Sequence, residues 1–269
     1  MIEKFSYSSL ETFKKCPVQF KIHYLDKVVK PDAGIEAFMG QRVHEALEFL
    51  YDDVTHGKIP LLDTVLEKYR ELWVHAWHDR IAIFRWEEFG PENYFALGED
   101  CLARYYRLHK PFSEPVRGIE VDLIFTLDSS DDYVMRGILD RVDHTGNGMW
   151  EIHDYKSGKR ALTQRQADSD SQLALYQIGF QQNEKNVESV TLVWHFLQHG
   201  IEVRSSRTKN QLNSLISKTK NTIDRIRSKI ASGGGFAPKE SFLCNWCYYW
   251  EECPAKGGTN PYILRNKKP

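Results

Sequence analysis

Gly137-Ile138-Leu139-Asp140-Arg141-Val142-Asp143-His144-Thr145-Gly146-Asn147-Gly148-Met149-Trp150-Glu151-Ile152-His153-Asp154-Tyr155-Lys156 is the stretch that decides the fold. Two strand-like runs flank a Gly-Asn-Gly turn signal. A three-residue loop at 146–148 is a common hairpin length. It sets Thr145 opposite Met149, and counting back sets Asp140 opposite Asp154. Directly opposed side chains lie about 5 Å apart at Cβ. Lys156 shares the face of Asp154, because strand side chains alternate. Two facing carboxylates repel. A Mg2+ or Mn2+ ion between them removes the repulsion and gains oxygen ligands. Lys156 can then hold a water or neutralise charge on a phosphate. An Asp-x13-Asp-x-Lys spacing also occurs on solvated sheet faces. Here Ile138, Leu139, Val142 and Ile152 flank the acids, so these strands are otherwise buried and their charges need partners.

Working outward, 116–127 and 133–144 read as strands around the turn cluster 128–132. A pairing of 127 with 133 sets Glu120 beside Asp140. Downstream come a helix at 168–183, strands at 189–198 and 201–206, and a helix at 208–231 ended by Gly233-Gly234-Gly235. Upstream, Ser8 and Glu11 have capping-box spacing for a helix reaching Cys16, and Pro17 opens the next. Helices follow at 36–56, 61–80 and 92–110, with a connector at 84–90. The expected fold is α/β: a small mixed β-sheet flanked by helices, with a helical insertion at 58–112.

The 269 residues are enough for one large domain spanning 1–269. No apolar run reaches membrane-spanning length, and the N-terminus lacks a signal-peptide pattern, so a cytoplasmic protein with no membrane partner is expected. The net charge of −1 does not advertise a nucleic-acid binder. Locally, Arg204, Arg207, Lys209, Lys218, Lys220, Arg225, Arg227 and Lys229 stand against Asp224 alone, a stripe that can carry phosphates or simply be a solvated helix face. There is no Gly-x4-Gly-Lys-Ser/Thr motif, so ATP-driven unwinding would need another chain.

Cys244-x2-Cys247-x5-Cys253 gathers three thiols near the C-terminus, and Cys16 is the fourth if 1–24 and 236–260 meet. Zinc and a 4Fe–4S cluster both accept four thiolates. Either would cross-link a loop of 228 residues (244 − 16) and so couple metal binding to folding. Trp246, Tyr248, Tyr249 and Trp250 interleave the thiols and could shield them. Cys101 reads as a core residue.

Residues 137–143 followed by Asp154-Tyr155-Lys156-Ser157-Gly158 resemble the RecB-like branch of the PD-(D/E)xK nucleases, whose core is restriction-endonuclease-like. Gly40-Gln41-Arg42-Val43-His44 is similar to that branch's Gly-x3-His helix, and Gln172-Leu173-Ala174-Leu175-Tyr176 to its Gln-x3-Tyr helix. The resemblance spans about 5–255. It implies metal ligation by His44, Asp140, Asp154 and the Tyr155 carbonyl, with Glu120 a further acid. It implies catalysis by Lys156, and Gln172 and Tyr176 lining the site. One early cysteine with a late Cys-x2-Cys-x5-Cys resembles the iron–sulfur staple of AddB-type and CRISPR-associated Cas-four nucleases. That implies 4Fe–4S in preference to zinc at Cys16, Cys244, Cys247 and Cys253. The implied activity is a Mg2+- or Mn2+-dependent exonuclease on single-stranded DNA ends, in repair, recombination or CRISPR adaptation. The alternatives are an iron–sulfur DNA-binding module serving a partner helicase or integrase, and a nuclease acting on RNA.

Overall fold

The computed structural model describes residues 2–30, 33–83 and 89–263. The chain opens with α1 (Tyr7–Lys15), α2 (Pro17–Phe20) and a π-helical turn (Lys21–Leu25). A two-residue strand β1 (Ala33–Gly34) leads into α3 (Ile35–Thr55), α4 (Leu62–Ala76), β2 (Ile81–Ala82) and α5 (Pro91–His109). The meander β3 (Val116–Thr126), β4 (Val134–Gly146) and β5 (Met149–Lys156) follows. Then come α6 (Gln164–Ala167), α7 (Gln172–Asn183), β6 (Ser189–Phe196), β7 (Ile201–Ser205) and α8 (Lys209–Ala231).

The five-stranded sheet has the order β3-β4-β5-β6-β7. Only β5 and β6 pair in parallel, across the α6–α7 crossover, so the sheet is mixed as expected. One face is covered by α1, α7 and α8. There Leu10, Phe13, Leu173, Ile178, Ile223 and Ile226 meet Leu139, Ile152, Leu192 and Trp194. The other face is covered by α3, α4 and α5, around Val43, Leu47, Tyr69, Leu102, Tyr155 and Leu197. The 3.6-residue spacing of Phe38, Val43, Leu47 and Leu50 drives that packing. No helix among the described residues is long and apolar enough to cross a membrane.

Three local expectations are corrected. The hairpin loop is the two-residue Asn147-Gly148, with Gly146 facing Met149. Both loop residues have positive φ (50° and 71°), as tight primed turns require. Thr145 is the bulged residue, so His144 faces Trp150 and Arg141 faces His153. The register from His144 downward is therefore the one counted from the sequence. The first helix is capped by Ser6, not Ser8, through a reciprocal pair with Ser9, because Ser6 lies in extended backbone just ahead of the first turn. The helix expected at 168–183 breaks at 168–171, where Asp170 accepts from the amides of Gln172 and Leu173. Most of the 84–90 connector lies outside the described residues.

A further feature was not legible. Leu139 and Val142 pack into the same core although strict alternation puts residues three apart on opposite faces. The alternation slips at 140–141. On the neighbouring strand Glu120, between the partners of Leu139 and Arg141, has φ 47°, rare for a residue with a side chain. Strained backbone of this kind clusters at functional sites. Here it turns Asp140 away from the α7 side of the sheet and toward α3.

Candidate active site

The carboxylate of Asp140 takes the place of a backbone partner. The Tyr155 amide donates to Asp140 Oδ2 at 2.7 Å, just where β4 and β5 stop pairing. The Tyr155 carbonyl points to α3, where His44 Nε2 lies at 2.9 Å. A carbonyl only accepts, so Nε2 carries the proton and Nδ1 presents its lone pair. That nitrogen is 3.6 Å from Asp140 Oδ2. His44, Glu120 and Asp140 each offer a ligand atom within 4.8 Å of the others. Gly40 lets α3 come this close, since a Cβ there would stand 2.5 Å from Ser157 Oγ.

Asp154 stands outside that tight group. It is 4% exposed and faces the α7 side, where Lys156 Nζ is 2.7 Å from its Oδ2. Gln172 bridges the two. It accepts from Lys156 at 3.1 Å and donates to Asp154 Oδ1 at 3.3 Å. Tyr176 lies one turn further on the same helix face, its ring over Gly137, where a Cβ would collide with it. The structure thus brings the residues expected at the site into two contiguous half-sites, joined where Asp140 grips the Tyr155 amide. Ser157 and the helix-capping Asp170 belong to the setting and were not singled out from sequence. The Asp170–Gln172 spacing before an apolar helix was a readable capping signal for the latter.

The electrostatics show an excess of negative charge. Burial, then the charge of Asp154, pushes the Asp140 carboxyl up to about 8. Burial, then Asp140, pushes Glu120 up to about 7. Burial lowers His44, which keeps its imidazole neutral and able to ligate. Burial opposes the Lys156 ammonium, but Asp154 outweighs it and the pKa lies above that of an ordinary lysine. Asp154 Oδ2 is buried with no hydrogen bond of good geometry. Carboxylates, a carbonyl and one neutral imidazole suit an oxygen-preferring divalent cation.

The four cysteines Cys16, Cys244, Cys247 and Cys253 line one cavity of about 210 Å3, together with Trp246, Tyr249 and Trp250. Tyr249 is buried against Val18 and Ile22 of the N-terminal segment. Among the described residues no three of these sulfurs lie mutually within 4.8 Å. A tetrahedral zinc with bonds of about 2.3 Å would hold them about 3.8 Å apart. The donor set is all thiol. Cys101 is a buried core residue, as expected.

The basic stripe is mostly consumed internally. Arg204 pairs with Glu151 and Glu202, Lys220 with Asp128. Arg207 donates to the Ala167 and Asp170 carbonyls, Arg227 to that of Asp132, and Lys229 to that of Gly235. Apart from Glu202 and Gly235, these partners lie 37–95 residues away along the chain, so the sequence could not reveal them.

This fold has known counterparts. The model of the PD-(D/E)XK nuclease superfamily matches residues 4–254, and the chain belongs to that superfamily. Nucleic acid is the substrate that the superfamily implies, and a divalent metal is its usual cofactor. Among solved structures, a protein from Eubacterium rectale named "Putative exonuclease" superposes with a TM-score of 0.55 at 15% identity, covering 92% of this chain and 88% of its own. At that identity the likeness is one of fold. A second structure, SSO0001, aligns over 93% of both chains at 14% identity with a TM-score of 0.37, too distant to bear on the argument. No curated protein matches the chain.

Proposed function

We propose that this protein is a Mg2+- or Mn2+-dependent deoxyribonuclease that trims single-stranded DNA ends, of the RecB-like branch, with a 4Fe–4S cluster on Cys16, Cys244, Cys247 and Cys253. The observation that carries the reading is the grip of Asp140 on the Tyr155 amide. It draws the His44–Glu120–Asp140 group and the Asp154–Lys156–Gln172 group to the two sides of one strand end. His44, Glu120, Asp140, Asp154 and the Tyr155 carbonyl would hold the metal. When bound, it would polarise a phosphate oxygen and acidify a water. Lys156 supplies the fixed positive charge that orients that water or balances charge building on the phosphate. Gln172 keeps the Lys156 ammonium aimed by accepting from it. Tyr176, whose ring lies over Gly137, would meet the strand being cut. DNA over RNA, and ends over interior sites, rest on the likeness to AddB-type and Cas-four nucleases, as do a role in repair, recombination or CRISPR adaptation and a helicase or integrase partner.

The test uses anaerobically purified protein, its visible spectrum, and end-labelled single-stranded DNA with Mn2+. Brown protein that degrades the DNA, with Asp154→Ala inert but folded, is expected. Colourless, zinc-loaded, active protein would remove the cluster and keep the nuclease. Cleavage of RNA alone would change the substrate. Cluster-loaded protein that binds DNA and cleaves nothing would leave a binding module.

A further inference from the structure

On the α5 side of the sheet lies a second group of ligand-type side chains that the proposed reaction does not use. His109 at the end of α5, His195 on β6 and Glu202 on β7 each offer an atom within 4.8 Å of the other two. All three line one cavity of about 290 Å3, floored by Tyr105 and Leu197.

The hydrogen bonds fix which nitrogen of each ring is free. The carboxylates of Asp143 and Glu151 face His153 Nε2 at 3.2 and 3.4 Å, so that nitrogen carries a proton and the lone pair of the neutral tautomer is on Nδ1. Arg141 Nη2 lies 3.1 and 3.4 Å from the two ring nitrogens and does not choose between them. His195 Nε2 lies 2.9 Å from the same His153 Nδ1 and must donate to it. This leaves the lone pair of His195 on Nδ1, which faces Glu202 Oε2 at 3.6 Å. His195 is 3% exposed. Burial is the first of several effects that hold its pKa well below the usual value, so it stays neutral. A buried lone pair and a carboxylate oxygen therefore confront one another at the same 3.6 Å found between His44 and Asp140. His109 is oriented likewise. Its Nδ1 lies 3.2 Å from Glu114 Oε1 and donates there, which frees Nε2. Each histidine thus rests, on its far side, on a chain ending in a carboxylate. Metal-binding histidines are commonly oriented in that way.

We propose that His109, His195 and Glu202 form a site for a zinc-type divalent cation, with solvent in the fourth position. Two imidazoles and one carboxylate form a known zinc donor set. Tetrahedral zinc would space their atoms about 3.4 Å apart, and the His195–Glu202 pair is already at 3.6 Å. The ion would clamp the end of α5 to β6 and β7, and the His195 and His44 rings both meet the Tyr155 ring. The inference is independent of the nuclease reading.

Zinc bound by the full-length protein would be counted against a chromophoric chelator, in a Cys247→Ser, Asp154→Ala background that weakens the two other metal-binding centres. One further zinc per chain is expected, and Glu202→Gln or His109→Gln should abolish it. Glu114→Gln, which only removes the acceptor behind His109, should weaken it about 10–100-fold. X-ray absorption at the zinc edge should show nitrogen and oxygen neighbours with imidazole scattering. Zinc counts and affinities unchanged by all three substitutions would overturn the proposal, as would a background protein that binds no zinc.

Discussion

Asp140 and Arg141 are neighbours in the chain, and so are His153 and Asp154, yet they serve two different buried charge clusters. Arg141 is 1% exposed and is held by an ion pair, hydrogen bonds and a ring contact. It lies 3.0 Å from Asp143, reaches Tyr105 and His153, and stacks over the Tyr51 ring. At the edge of this network, hydrogen bonds from His153 and Arg204 hold Glu151 down at about 2. One residue away the balance reverses, and Asp140 and Glu120 are pushed up to about 8 and about 7. The same strands therefore carry one cluster closed by its own counter-ions and one that still lacks positive charge. Closure marks a structural network, and the deficit marks a place for a cation.

The largest effect should come from opening the closed cluster. Arg141→Ala leaves Asp143 buried with only His153 beside it, and breaking a buried ion pair costs about 3–5 kcal/mol. Denaturant melts should show that loss, whereas a stability within 1 kcal/mol of wild type would mean the network is not closed as described. Next is Lys156→Ala in the open cluster. Nuclease activity should fall about 100- to 1,000-fold with DNA affinity retained, as when a single group that stabilises charge in the transition state is removed. A variant that loses affinity in step with activity would assign Lys156 to binding.

Much of this was legible in the sequence. Strand order, the alternating runs and the capping signals gave the α/β sheet, and the hairpin count put Asp140 level with Asp154. That count survived a wrong loop down to Arg141 and His153, because Gly146 takes the place opposite Met149 and Thr145 becomes a bulge, which shifts no pair from His144 on. The slip at 140–141 was illegible, since it depends on the φ of Glu120 in a different strand. Its consequence is chemical: Asp140 joins His44 and Glu120 on one side while Asp154 and Lys156 stay on the other, where simple alternation set all three acids on one face. The closed cluster was also illegible. Arg141, Asp143, His153 and Tyr105 are ordinary residues until the sheet and α5 stack them together.

A metal-free pH series sharpens the comparison further. Asp140 binds its proton more tightly when folded (about 8) than unfolded (~3.9). Its contribution to stability is complete below pH ~4 and is lost as pH rises toward 8. The sign follows because the folded state holds more protons across that window. Between pH 5 and 8 the loss should be on the order of 2–4 kcal/mol. Mn2+ should cancel it by taking the place of the proton, and Asp140→Asn should remove it. Glu151 works the other way: its folded pKa of about 2 adds stability above pH ~4 that is lost only as pH falls toward 2. A flat profile from pH 5 to 8 without metal would deny the charge deficit.

The smallest effect tests the spacing between the halves of the open cluster. Gly40→Ala adds one methyl 2.5 Å from Ser157 Oγ, so α3 must retreat or Ser157 must turn. Overpacking of this kind costs about 1–3 kcal/mol. If α3 retreats, His44 leaves the Tyr155 carbonyl, and the Mn2+ requirement should rise more than stability falls. Removing the hydroxyl with Ser157→Ala should then restore metal affinity to Gly40→Ala. Rescue would show that the glycine sets the reach of His44. Equal losses of stability and metal affinity, without rescue, would mean that α3 as a whole carries the contact.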